Sequence, residues 1–170
     1  MPVILRKPRT EAERLIGGVW SKIAGTLVIP VDPARIAKEL GIDVFEAELD
    51  PSVSGAIIKK PNSDPTILLN RDDSTVRQRF SCAHELGHYV LHADDPEEYE
   101  YVDFRNDASS TGDVDEEMFA NAFAANLLMP EDEVRRRSKD NMSAVEMAFE
   151  FRVSQESMTN RLKNLGLPVG

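Results

Sequence analysis

Apolar residues recur at Ala12, Leu15, Ile16 and Val19, the spacing of one helical face, and predict a helix over residues 10–23. A second helix is predicted from Asp32-Pro33, an N-cap residue followed by proline at the first helical position. It carries Ile36, Ala37 and Leu40 inward and stops at Gly41. Three short β-like runs follow at 42–49, 54–59 and 66–70, separated by Asp50-Pro51 and by Pro61-Asn62-Ser63-Asp64-Pro65. Such short connections predict an antiparallel three-stranded meander. A long helix is predicted from Asp73-Ser74 to about residue 91, with Cys82, Leu86 and Val90 as its apolar stripe. That stripe lies roughly 200° around the helix from His84 and His88, which predicts one buried side and histidines presented on the other.

Residues 93–112 have no apolar period and read as a loop. The next helix opens at Asp113, with Glu116 placed to complete a capping box, and ends at Met129-Pro130. Ser143 and Glu146 form another capping box, and Ser154 caps a last helix carrying Met158, Leu162 and Leu165 to Gly166. These elements predict an α+β chain: a domain over 1–140, with a small antiparallel sheet on the long helix, and a helix-turn-helix-like pair over 141–170.

Composition narrows the class. Hydrophobic content of 41% with 29% charged residues is that of a soluble globular domain, and no apolar run reaches membrane-spanning length. One cysteine permits no internal disulfide, and the N-terminus lacks a secretory pattern; together these predict a cytoplasmic protein. The net charge of −10 is concentrated: residues 92–117 hold eleven acids and one base. Residues 131–170 balance seven acids with seven bases, so direct nucleic-acid binding is not expected and the terminal helices are assigned to packing or substrate docking.

The candidate chemistry sits at His84-Glu85-Leu86-Gly87-His88. Residues four apart share a helical face, so both imidazoles can reach one ion, while Glu85, one step round, can address water as a general base. A catalytic zinc needs a third ligand. Continuation by Gly-x-x-His fails, because Leu91 and Asp94 stand at those places. His92 lies too far round the helix and is assigned to the terminal carbonyls. A carboxylate on the helix after Asp113 is the alternative, Glu116 or Glu117; if Glu116 closes the capping box, Glu117 is free. Asn121, one turn further, is placed to hold the distal nitrogen of a histidine. Ala120, Ala122, Ala124 and Ala125 would let the two helices approach. Tyr89, Tyr99, Tyr101 and His92 are candidate oxyanion donors.

Two strings, residues 84–92 and 117–130, closely resemble the ImmA/IrrE family of metallopeptidases. The second is the more specific, with glutamate, Ala-Asn, Phe-Ala and Leu-Leu-Met-Pro at fixed spacing. Likeness extends to Phe151-Arg152-Val153-Ser154 and Arg161-Leu162. Family members often carry a second glutamate before Ala-Asn; Phe119 stands there instead, which favours Glu117 as ligand. The resemblance implies a zincin-like, gluzincin-type fold with His84, His88 and Glu117 as metal ligands and Glu85 as catalytic base. It implies a site-specific endopeptidase whose substrate is a helix-turn-helix repressor, cut to release mobile-element or stress-response genes. Zn2+ suits the ligand set, and Mn2+ or Fe2+ is compatible with it. The alternative is a metal-containing module that sequesters its partner without hydrolysis.

Overall fold

The computed structural model describes residues 6–25, 27–94, 98–105 and 113–170. The chain opens with α1, Pro8–Leu15, passes through a π-helical turn at Ile16–Trp20, and continues as α2, Ser21–Ala24. The predicted stripe over 10–23 is thus helical but not one regular helix. The widened turn contains Gly17 and Gly18, whose backbone tolerates the departure. Helix α3, Pro33–Glu39, begins as its sequence dictates: the Asp32 carboxylate accepts from the amides of Ala34 and Arg35. Gly41 turns the chain with φ of +77°.

Strands β1 (Asp43–Ala47), β2 (Val53–Lys59) and β3 (Thr66–Asn70) follow at the predicted places, but the predicted three-stranded antiparallel meander is incorrect. The sheet has four strands in the order β1-β3-β2-β4, and β1 pairs parallel to β3. Turn residues mark where the chain reverses and do not say which neighbour a strand will pair with. The fourth strand, β4 (Tyr99–Phe104), lies inside the stretch predicted to be a loop and pairs antiparallel to β2. The rest of that prediction, at 95–97 and 106–112, lies outside the described residues.

Helix α4, Thr75–His92, crosses beside the sheet and is capped by the Ser74 hydroxyl, which accepts from the Arg77 amide. The predicted division into a buried stripe and an open histidine face does not hold, since every residue from Ser81 to His88 is buried. Its neighbours cover it from several directions: α3, the sheet, and α5 (Val114–Leu128). Helices α6 (Glu131–Lys139), α7 (Ala144–Phe151) and α8 (Gln155–Asn164) complete the chain. The Ser143–Glu146 capping box and the Ser154 cap form as predicted. Met147, Phe151, Met158 and Leu162 are fully buried and belong to the same apolar cluster as Leu86, Phe123 and Leu127.

Two features join this core to the site. Gly87 is the point of closest approach between α4 and α5: a methyl group there would stand 2.8 Å from the Ala120 Cα. Arg161, on α8, donates through Nε to the Met129 carbonyl and through Nη2 to the Asn126 side-chain oxygen, tying α8 to the end of α5. This satisfies a terminal carbonyl of α5 just before Pro130.

Two predictions follow from this packing. Helix propensity favours alanine over glycine by up to about 1 kcal/mol, but the clash at Ala120 is with backbone and cannot be relieved by a side-chain rotation. Gly87→Ala is therefore expected to lose about 1–3 kcal/mol in denaturant unfolding, the usual cost of overpacking; an unchanged or raised midpoint would contradict the close approach. Cys82 is 1% exposed, and burial, aided by the charges of Asp32 and Glu85, pushes its thiol up to about 12. At pH 8 a thiol reagent is expected to leave the folded protein unmodified and to titrate one thiol in guanidinium.

Candidate metal centre

The site forms where α4, α5 and β4 meet. Successive turns of α4 carry His84 and His88 with their Nε2 atoms 3.2 Å apart. Across the gap set by Gly87 and Ala120, Glu117 sits in the first turn of α5. Its Oε2 lies 3.1 Å from His84 Nε2 and its Oε1 3.1 Å from His88 Nε2. An ion bonded tetrahedrally at about 2.0–2.1 Å spaces its ligand atoms about 3.3–3.4 Å apart, so the three side chains fit one small divalent cation. The two-nitrogen, one-carboxylate donor set suits the same class of ion. Asn121 stands as predicted, with Oδ1 2.9 Å from His84 Nδ1. As acceptor there, it fixes the ring with Nε2 turned to Glu117.

With their Nε2 atoms 3.2 Å apart, the two rings resist carrying a positive charge at the same time. Burial works against charge on each. At His84 this is outweighed by the hydrogen bond to Glu117 and by the nearby carboxylates of Glu85 and Asp103, which raise it to about 9. At His88 burial prevails, helped by the neighbouring His84, and the pKa falls. Glu117 is opposed by burial but accepts from both rings, and drops to about 2. The protein alone therefore holds an imidazolium–carboxylate pair, and a bound cation would replace its proton.

Glu85 is fully buried, and neither of its carboxylate oxygens has a hydrogen-bond partner among the described residues. Burial pushes it up to about 8, and the Asp103 and Glu117 charges add to the rise. The close fit of β2 leaves room for this acid because Gly55 faces it; a Cβ there would lie 3.6 Å from Glu85 Oε1.

Strand β4 supplies residues that sequence reasoning missed or left unplaced. Asp103 comes together with His84 and Glu85, their ligating atoms all within 4.8 Å of one another. The Tyr101 ring stacks on His88 with centroids 4.4 Å apart, and its hydroxyl lies 2.6 Å from His92 Nε2. Tyr99 packs beside His92 at 5.5 Å. Thus Asp103, Tyr101 and Tyr99 run along His84, His88 and His92, strand period against helical turn. The signal was present as alternation at 99, 101 and 103, hidden among acids. Two assignments need correcting. Glu116 does not close a capping box; its Oε1 lies 3.3 Å from His92 Nε2, and Asp113 caps α5 through the Asp115 amide. His92, assigned to helix-end carbonyls, meets these side chains instead.

A cavity of ≈ 250 Å³ opens beside the triad, bordered by His84, Glu117, Asn121, Asp103, Arg77 and Phe80. Arg77 is held in its wall by two hydrogen bonds to Ser54 Oγ, at 3.2 and 3.0 Å. Ser54 occupies an irregularity in the β2–β4 pairing. Residues of α4, α5 and β4 thus face one small polar space.

Among curated proteins none matches the chain. Among solved structures it is similar to a transcriptional regulator from Mycobacterium tuberculosis, with TM-score 0.61 and 17% identity over 92% of this chain and 46% of that one. The chain spans about half the length of that protein, and the likeness is one of fold. The family model described as the IrrE N-terminal-like domain, Peptidase_M78, matches residues 37–163, from α3 through α8 and across the whole site. With the triad assembled from two helices inside that span, the chain belongs to the Peptidase_M78 family, that of the IrrE N-terminal-like domain.

Proposed function

We propose that the chain is a metal-dependent endopeptidase whose substrate is a helix-turn-helix repressor, with His84, His88 and Glu117 holding the metal and Glu85 as general base. The observation that carries the reading is the convergence of the three ligating groups beside a buried, unpartnered carboxylate. A structural site normally closes its coordination with a fourth protein ligand and has no use for such an acid. When bound, the cation supplies Lewis acidity towards a peptide carbonyl and towards water.

The residues around it account for the remaining steps. Glu85, buried beside His84 with both carboxylate oxygens unpartnered among the described residues, takes a proton as the water oxygen bonds to the carbonyl carbon. The same carboxylic acid delivers that proton to the amide nitrogen as the C–N bond breaks, which leaves it ionised again. Asn121 keeps His84 in the tautomer that offers Nε2. Tyr101, one of the predicted oxyanion donors, stacks on His88 with its hydroxyl 2.6 Å from His92 Nε2. Zinc suits this donor set, and Mn2+ or Fe2+ is compatible with it. The family and the regulator of similar fold support a regulatory substrate over a nutritional one. Among the described residues no helix is long and apolar enough to cross a membrane.

Two outcomes test the reading. Zinc at about a hundred times its Kd is expected to stabilise the protein by about 2.7 kcal/mol in thermal unfolding. In Glu117→Ala that gain should largely vanish, with bound metal measured by mass spectrometry falling in step; full retention would remove Glu117 from the site. The second test uses helix-turn-helix proteins encoded beside the gene. Zinc-loaded protein should convert one of them to two fragments, while Glu85→Gln binds metal normally and cuts about 10²–10⁴-fold more slowly. Undiminished cutting by that variant would reject Glu85 as base, and binding without fragments would leave a sequestering module.

A further inference from the structure

A second cavity, of ≈ 370 Å³, lies between the first turns of α4 and the start of α8. Val76, Phe80 and Val153 give it apolar walls, and its polar lining includes Ser74, Ser157, Asn160 and the acidic Glu156. Arg77 and Phe80 border this cavity and the one beside the metal triad alike, so the two spaces adjoin at those side chains. Val76, Phe80 and His84 stand at i, i+4 and i+8 on α4, one row leading from the groove to the triad. From Val76 to His84 the row rises about 12 Å, which an extended chain covers in about three or four residues.

We infer that this groove is a binding subsite for the substrate polypeptide, receiving an apolar side chain about two to five residues from the bond that is cut. The inference rests on the proteolytic reading of the metal centre. The occupant follows from adjacency: a chain with its scissile bond at His84 and Glu117 and running past Phe80 enters the groove, where Val76, Phe80 and Val153 offer apolar contact and the rest of the lining offers polar side chains. Pockets that hold small ligands occupy about 300–1,000 Å³, so the space takes a large side chain with its flanking backbone. The C-terminal helices then have a role in recognition: α8 forms the wall opposite α4. Because Arg161 ties α8 to the end of the Glu117-bearing helix, that wall keeps a set distance from the metal ligands.

The test uses the zinc-loaded full chain and a library of peptides made by tryptic digestion of a bacterial proteome, with new termini identified by mass spectrometry. The wild-type protein is expected to enrich apolar residues at one position two to five residues from the cut. Asn160→Trp, at an exposed position on the rim, and Ser157→Leu, inside the groove, should each lower that enrichment by about fourfold or more, the factor of one buried methylene. Preferences at the two residues flanking the cut, and zinc per chain, should stay as in the wild type. Enrichment confined to the flanking residues overturns the groove while leaving the protease reading intact. Distal enrichment that both variants leave unchanged also overturns it, as does an equal loss at flanking and distal positions. Cutting of a repressor by the wild type with no peptide cut overturns the groove alone, and no cutting of either overturns the protease reading and the groove together.

Discussion

The separation between α4 and α5 is the constraint on which the site depends. A glutamate is a short side chain, and Glu117 reaches both imidazoles at 3.1 Å only because the helices touch at Gly87 and Ala120. Wider helix pairs, at the usual 8–10 Å between axes, would leave the carboxylate to bridge the gap through water. Glycine in a helix interior costs up to about 1 kcal/mol in propensity, and nothing local to α4 explains its presence. The explanation lies across the interface, where the partner atom is backbone. The motif residue that looks least chemical therefore sets the geometry of the His84, His88 and Glu117 triad.

That closeness concentrates charge in a dry place. His84, Glu85, Asp103 and Glu117 gather within one buried site, and burial alone would exclude most of it. The groups divide the cost among them. Glu117 and His84 pair as ions, His88 stays neutral, and Glu85 and Asp103 are both pushed upward by burial. Stacking covers the face of His88 with the Tyr101 ring, so the ring is held without a second charged partner. A divalent cation suits this arrangement better than protons do, since it neutralises several carboxylates at once. Burial disfavours ionised Glu85, and a cation held by the neighbouring His84, His88 and Glu117 would favour it, so the loaded site would offer a carboxylate able to accept a proton.

The elements with strong local signals were legible from sequence: the Asp32-Pro33 start, the Ser143–Glu146 box, the strands, and the spacing of His84 and His88. Glu117 was legible through its helix position and the family-like string around it. Errors arose wherever pairing between distant segments decided the outcome. Parallel pairing of β1 with β3 has no local signature, because the side-chain period of a strand is the same in either direction. Strand β4 was concealed by composition: its acids read as a solvated loop, yet Asp103 and the two tyrosines face α4 because β2 provides hydrogen bonds for the backbone. Glu116 satisfied the capping rule in sequence, but the half-buried His92 offered it a stronger partner than an exposed amide. Local rules ranked the options correctly and lost to tertiary contacts.

The agreement between strand and helix along the site has a geometric basis. Two residues of β4 advance about 6.6–6.8 Å and four residues of α4 about 6.0 Å, so the two ladders stay in register over three rungs. Asp103 thereby meets His84, Tyr101 meets both His88 and His92, and Tyr99 meets His92, so three identical side chains are given different surroundings. His84 gains carboxylates and an amide, His88 an aromatic cover, and His92 a hydroxyl and Glu116. A third rung at the end of α4 that is paired to side chains leaves the first two to a metal. Selection between equivalent imidazoles is thus made by the strand, and a helix motif read alone could not have made it.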